Sequence, residues 1–297
     1  MGCWHFIIIL IFEVIGMANK AIVLDLDGTT LNERNTVNET LEQYIGELRE
    51  SGKLIFIATG RTLEEVRDVL PAGMEADGMV TANGMSVFIG KEQIVEHALS
   101  TELVEELVAK AGAEEIFYEV HPNEGTRVAL LKDKDYMVKQ GLIPKPGTVD
   151  ENEWLSRQDA VEDKIRWSEQ LDIKSVAKIY FFSNEMNTIR KWKAELGKIK
   201  QYNAFTTASS THHNVEVTVE GITKATGVQL LLKHFQLAPE EILAVGDGEN
   251  DLPLFKLAGH CVAMKNATDL VKEQADEVTE YSYREDGLYR FLKAKFH

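Results

Sequence analysis

The stretch Ala21-Ile22-Val23-Leu24-Asp25-Leu26-Asp27-Gly28-Thr29-Thr30 constrains this chain more than any other. A short apolar run that stops at turn-forming residues suits a strand buried on both faces of a parallel sheet. Open α/β sheets bind their ligands where such strands end. The run therefore predicts a central strand that presents Asp25 and Asp27 at a site.

The same grammar recurs along the chain. Lys53 to Ala58 is a second continuous apolar strand, closed by Thr59-Gly60-Arg61, and Ile242 to Val245 is another, closed by Gly246-Asp247-Gly248-Glu249-Asn250-Asp251. Thr36-Val37-Asn38-Glu39 reads as a capping box ahead of Leu41, Tyr44, Ile45 and Leu48 at helical spacing, and Ser51-Gly52 stops that helix. Thr62-Leu63-Glu64-Glu65 caps a helix running through Leu70, and Gly221-Ile222-Thr223-Lys224 opens one with Val228, Leu231, Leu232 and Phe235 on one face. His260 to Met264 reads as the last strand, Asn266-Ala267-Thr268-Asp269 as the start of a capped helix, and Glu285 to Phe296 as helical. This alternation predicts an α/β fold with a doubly wound parallel sheet.

Between these segments the pattern changes. Gly78 to Thr81 is strand-like, and Asn83-Gly84 precedes a hairpin of Met85 to Ile89 and Gln93 to His97 around Gly90-Lys91. After an amphipathic helix over Thr101 to Ala111, strand-like runs at Glu115 to Val120, Arg127 to Lys132, Ala177 to Ser183 and Gln201 to Ala208 alternate with helical stretches such as Glu185 to Lys198. Asp150 to Leu171 is too charged to assign. The expected organisation is a core over 17–99 and 215–297, interrupted by an inserted α/β cap domain over 100–214, with Asn214 to Val219 as the strand that leads back.

A chain of 297 residues is long enough for two domains, since single ones run to roughly 100–200 residues. Its formal net charge of −16, with no basic block, argues against nucleic acid as a partner and for small ligands or cations. Cys3 and Cys261 lack metal-ligand spacing, which predicts a reduced, cytoplasmic protein. Phe6 to Ile15 is apolar, but Glu13 interrupts it and it falls short of the about 20 residues that a spanning helix needs. No membrane is expected as a partner, and residues 1–16 read as an N-terminal extension outside the fold, with Met17-Ala18-Asn19-Lys20 as the natural start.

Asp25-Leu26-Asp27-Gly28-Thr29, then Thr59 in a strand-end Thr-Gly-Arg, then Lys224, then Gly246 to Asp251 stand in the order of the four motifs of the haloacid dehalogenase-like superfamily, which the chain resembles from Met17 on. The insertion between the second and third motifs, with Asn83-Gly84 ahead of it, resembles the Cof-type subfamily of capped phosphatases. The resemblance implies a Rossmann-like core of that type, Mg²⁺ as cofactor, and hydrolysis of a small phosphorylated metabolite such as a sugar phosphate. It also implies Asp247 as a direct metal ligand, Asp251 as a ligand through water or an orienter of the others, and Asn250 on the phosphate side.

The residue types meet the elementary needs of that chemistry. Removing a phosphoryl group takes an in-line nucleophile, positive charge on the equatorial oxygens and a proton for the leaving oxygen. Asp25 suits the nucleophile, forming an aspartyl phosphate, and Asp27 the general acid and then base. Asp25, the Asp27 backbone carbonyl, Asp247 and Asp251 are the candidate metal ligands. Thr59, Gly60 and Arg61, at a helix start, suit phosphoryl binding. Lys224 in a first helical turn opposes the helix dipole, so its position needs a reason, and balancing phosphate and carboxylates supplies one. Arg61, Asn83, Asn250 and cap residues would shape substrate binding.

The family often has Lys-Gly where this chain has Lys224-Ala225, and Met-Gly-Asn-Ala where it has Met264-Lys265-Asn266-Ala267; neither departure removes a catalytic side chain. His212-His213 invites a zinc reading, but neighbours on a strand point to opposite faces and no third ligand is near, so a polar strand entrance is favoured. A phosphomutase using the same intermediate is one alternative. A non-catalytic sensor on the same fold is another, whose mark would be the loss of an essential carboxylate.

Overall fold

The computed structural model describes residues 19–142 and 144–297, so the apolar stretch 1–16, Cys3 and the expected start at Met17 lie outside the described residues. The chain begins with β1 (Ala21–Leu24), followed by helix Glu39–Glu50, β2 (Leu54–Ala58), helix Leu63–Arg67, β3 (Gly78–Thr81) and the hairpin β4 (Ser86–Ile89) and β5 (Glu92–Glu96). Helix Thr101–Ala113 leads to β6 (Phe117–Pro122), β7 (Val128–Leu130), helices Lys134–Leu142 and Glu151–Asp159, β8 (Arg166–Ser168) and β9 (Val176–Phe182). Helix Met186–Ile199, β10 (Phe205–Ala208) and β11 (Asn214–Val219) follow. The remainder is helix Lys224–Phe235, β12 (Ile242–Gly246), helix Leu252–Leu257, β13 (His260–Ala263), helix Asp269–Glu273, β14 (Glu277–Val278) and helix Gly287–Phe296.

Alternation along the strands builds the layers. Ile22 and Leu24 of β1 pack with the helices Glu39–Glu50 and Gly287–Phe296, whereas Ala21 and Val23 pack with Lys224–Phe235 and Leu252–Leu257 on the other face. Each fully buried Val, Leu or Ile contributes about 1.5–3 kcal/mol, so the all-apolar pattern of β1 is what places it at the centre. The first sheet has the order β14-β13-β12-β1-β2-β3-β4-β5, parallel from β14 to β3 and antiparallel beyond. Strand order reverses at β1, with β2 on one side and β12 on the other, which opens a crevice at their carboxyl ends.

The second sheet, in the order β10-β11-β9-β6-β7-β8, is antiparallel except for β7 with β8. Its outer face packs on helices Thr101–Ala113 and Met186–Ile199 through Leu107, Trp192 and Leu196. Here one expectation is corrected: β11, read as the strand leading back to the core, pairs with β9 and β10, so the return comes only after Val219. Its alternating Asn214-Val215-Glu216-Val217-Thr218 fits either sheet; long-range pairing chose.

Smaller corrections have local causes. The Thr36 capping box does not form, because the Asn32 side chain takes the Thr36 backbone N–H and hydroxyl at 3.2 and 3.1 Å; Asn38 is the cap residue instead. At Thr62 the box is present, but the helix ends at Arg67 rather than Leu70, ahead of Pro71. The charged segment after Asp150 holds helix Glu151–Asp159, whose inward side chains include Glu153 and Arg157, so no apolar stripe could reveal it. β14, two exposed residues, makes His260–Ala263 the penultimate strand.

Candidate active site

The carboxyl ends of β1, β2 and β12 bring Asp25, Thr59 and Asp247 to the crevice. Lys224 starts its helix behind a Thr223 cap and is wholly buried; its Nζ donates to Asp25 Oδ1 at 2.5 Å and to Asp251 Oδ1 at 2.7 Å. The other Asp251 oxygen accepts the Asp247 and Gly248 backbone N–H groups, each at 3.0 Å. Asp251 is thus engaged at both oxygens, which suits an orienting residue. One carboxylate oxygen from each of Asp25, Asp247 and Asp251 lies within 4.8 Å of the others.

Glycine is required where the turn after Asp25 and Asp27 meets the loop of Asp247. Gly28 has φ +71°, and a Cβ there would stand 2.0 Å from Asp247 Oδ2. Asp27 is held by the Arg61 guanidinium fork, Nε to Oδ2 at 2.9 Å and a terminal nitrogen to Oδ1 at 2.6 Å. Thr59 is wholly buried and does not line the cavity that Gly60 and Arg61 border; its Oγ1 accepts the Arg61 N–H at 3.1 Å, which leaves the hydroxyl proton free to donate.

Burial pushes the Asp25 carboxyl up to about 7, opposed by Lys224 and reinforced by Asp251 and Asp27. Asp247 is raised well above the usual carboxylate range for the same reasons, burial first and Asp25 next. Burial works against the Lys224 ammonium, yet Asp25 and Asp251 together raise it above its ordinary value. The cluster is short of positive charge.

Above it lies a cavity of about 1010 Å³, reached from the side of the first sheet by Asp25, Asp27, Gly60, Arg61, Asp247 and Asn250 and from the other side by Tyr180, Asn214 and Glu216 of the second sheet and Arg157 of helix Glu151–Asp159. Asn83 and Lys224 border a smaller cavity of about 370 Å³ on the far side of Asn250. The profile of the haloacid dehalogenase-like hydrolases matches residues 22–292. The chain belongs to that family.

This haloacid dehalogenase-like hydrolase is similar to a Bacillus subtilis phosphatase named for 5-amino-6-(5-phospho-D-ribitylamino)uracil, at 28% identity over 276 residues, 92% of this chain and 94% of that protein. A haloacid dehalogenase-like hydrolase structure from B. subtilis shares the fold with TM-score 0.76 at 23% identity, covering 92% of this chain and 99% of the other. A phosphatase of the superfamily from Bacteroides thetaiotaomicron has TM-score 0.69 at 27% identity, covering 94% and 96%. The chain is an enzyme, a phosphoric monoester hydrolase of the capped Cof type. None of its described helices is long and apolar enough to cross a membrane.

Several residues that shape the hydrolase's site escaped the sequence reading. Asn266 donates to Asp247 Oδ2 and to the Gly28 carbonyl, both at 2.9 Å; in the sequence it marks only a helix start and a departure from the family pattern. On the second sheet Glu119 and His121 of β6, Lys178 and Tyr180 of β9, and Asn214 and Glu216 of β11 are all buried on the face turned toward the first sheet. Their signal was the alternation itself, polar at every second position, which identified strands without saying what the polar face meets. Glu119 accepts from Arg157 and, at 2.8 Å, from Arg127. Lys265 is exposed, its Nζ 5.9 Å from the Tyr281 ring centre. Buried His213 bonds Ser183 O at 2.8 Å and Thr148 Oγ1 at 3.0 Å, while His212 is exposed; both lie in the turn ahead of β11 rather than on a strand, so it is the turn that separates them.

Proposed function

We propose that the chain is a Mg²⁺-dependent phosphatase that cleaves a small phosphorylated metabolite through an aspartyl phosphate on Asp25. One observation carries the reading: Asp25 borders the large polar cavity with one oxygen tied to Lys224 and the other without a hydrogen bond among the described residues. The donor set suits Mg²⁺, since Asp25, Asp247 and the Asp27 backbone carbonyl are hard oxygens with Asp251 behind them, and the raised proton affinity of Asp25 and Asp247 marks a place for a cation. When bound, the ion supplies positive charge that keeps these carboxylates ionised and offsets that of the phosphoryl group.

Asp25 attacks phosphorus in line, and its new O–P bond forms as the bond to the leaving oxygen breaks. Asp27, once released from the Arg61 fork that occupies both of its oxygens here, gives a proton to that oxygen. Asp27 then takes a proton from water as the water attacks phosphorus, and the Asp25–phosphate bond breaks to release inorganic phosphate. Lys224 and the Thr59 hydroxyl bind the phosphoryl oxygens, while the second sheet acts as a cap over residues 100–219 that excludes water and selects the leaving group.

The cavity, about 1010 Å³, has room for a substrate of nucleotide size. The compound for which the Bacillus relative is named therefore heads a test panel of sugar phosphates, nucleotides and cofactor phosphates. Phosphate release should require Mg²⁺, stop with chelator, and fall on the order of 10³-fold or more in Asp25→Asn. Equal rates for wild type and Asp25→Asn would end the proposal. Release without a bisphosphorylated activator separates a phosphatase from a phosphomutase.

A further inference from the structure

Lys178 on β9 and Glu216 on β11 stand on the inner face of the second sheet, only 2% and 5% exposed. Lys178 Nζ donates to Glu216 Oε1 at 2.7 Å, to Glu65 Oε2 at 3.3 Å and to the Gly60 carbonyl at 2.6 Å. The second Glu216 oxygen accepts the Asn83 amide at 2.5 Å. The second sheet thus presents a donor and an acceptor side by side, and the first sheet's side answers with two acceptors, Gly60 O and the Glu65 carboxylate, and with one donor, Asn83 Nδ2.

Both answering atoms belong to the loops of the site. The Asn83 N–H donates to Thr59 O at 2.9 Å and the Ala82 N–H to Arg61 O at 2.7 Å, which ties the Ala82-Asn83 turn to the loop Thr59-Gly60-Arg61. Asn83, in the left-handed region with φ 57°, accepts the Asn250 amide on its Oδ1 at 3.1 Å, and Asn250 lies on the loop of Asp247 and Asp251. The fit is close, for a Cβ on Gly60 would stand 3.1 Å from Glu216 Oε2. A buried Lys–Glu pair is near break-even in stability against apolar residues of the same shape, so stability alone does not explain it. What the pair adds is direction, since charged hydrogen bonds fix the atoms they meet.

We propose that Glu216 and Lys178 are positioning residues: through Gly60 and Asn83 they hold the phosphoryl-binding loop in its reacting geometry while the second sheet is closed over it. This rests on the phosphatase reading above. The step it governs is phosphoryl transfer rather than capture of the ester.

The test compares wild type, Asp25→Asn, Glu216→Gln and the double variant Lys178→Met/Glu216→Leu, which removes both charges of the pair together while Glu65 keeps Arg127 at 3.5 Å. kcat and KM are measured with p-nitrophenyl phosphate and Mg²⁺, beside the melting temperature and amide hydrogen exchange over 59–62 and 82–84 without substrate. In both cap variants kcat should fall on the order of 10²-fold, KM should stay within about threefold, and exchange in both segments should quicken while the double variant still melts near wild type. Wild-type kcat and unchanged exchange in the variants overturn the positioning role while an active wild type leaves the phosphatase reading standing; a loss confined to KM also overturns it. Absence of phosphate release from wild type with p-nitrophenyl phosphate and with the panel of phosphate esters above, with faster exchange in the variants, sinks the phosphatase reading instead and keeps the coupling of cap to loop.

Discussion

Lys224 occupies a position that local rules disfavour. A cation in a first helical turn is opposed by about 0.3–1 kcal/mol, and this one is also wholly buried. Its bonds to Asp25 and Asp251 outweigh both effects, as its raised proton affinity records. Lys224→Met should therefore leave a buried carboxylate pair without its counter-charge and destabilise the metal-free fold by about 3–5 kcal/mol near neutral pH; urea unfolding measures it, and a change below about 1 kcal/mol would contradict the account. Gly28 is the second residue whose identity is dictated. With φ +71° and a Cβ that would lie 2.0 Å from Asp247 Oδ2, Gly28→Ala should displace Asp247 and weaken Mg²⁺ binding at least about tenfold, of the order seen when metal-site support is removed, as read by titration calorimetry. The sequence marked both positions, one by its glycine after two acids and the other by its conflict with the dipole.

At the scale of the element, the inner face of the second sheet is a charged face made dry. Arg157 and Arg127 hold the Glu119 carboxyl well below the usual range against the effect of burial, and burial holds His121 below its ordinary value. The unfolded chain therefore takes up protons that folded Glu119 refuses as pH falls below its ordinary value of 4.5. Stability contributed by Glu119 is complete above that pH and is lost toward its depressed value. His121 acts in the same direction from 6.5 downward, because its folded form stays neutral. Asp25, raised from 3.8 to about 7, takes up its proton first in the folded state and opposes the trend. The gap in unfolding free energy between wild type and Glu119→Gln isolates the effect: about 3–5 kcal/mol at pH 7, it should narrow steadily from pH 4.5 to pH 3, and a pH-independent gap would refute the sign. The strands of this sheet were legible from their alternation, but helix Glu151–Asp159 was not, because Arg157 and Glu153 turn inward where pattern rules expect apolar residues.

Across the whole molecule, the large cavity has carboxylates on one wall and an organised polar face on the other. A cation that binds the Asp25, Asp247 and Asp251 cluster only in the folded state should raise stability by about 2.7 kcal/mol at a hundred times its Kd. Melting with Mg²⁺ against melting with chelator measures this, and Asp247→Asn should lose most of the shift. The apolar run into Asp25 and Asp27 was enough to place β1 with those carboxylates at its carboxyl end, because continuous burial and turn chemistry are local properties written residue by residue. Only the tertiary structure decided that β11 joins the second sheet, that Arg61 closes on Asp27, and that Lys178 and Glu216 meet Gly60 and Asn83. Those partners lie far apart along the chain, and an alternating strand or a long charged side chain is compatible with many neighbours until packing selects one.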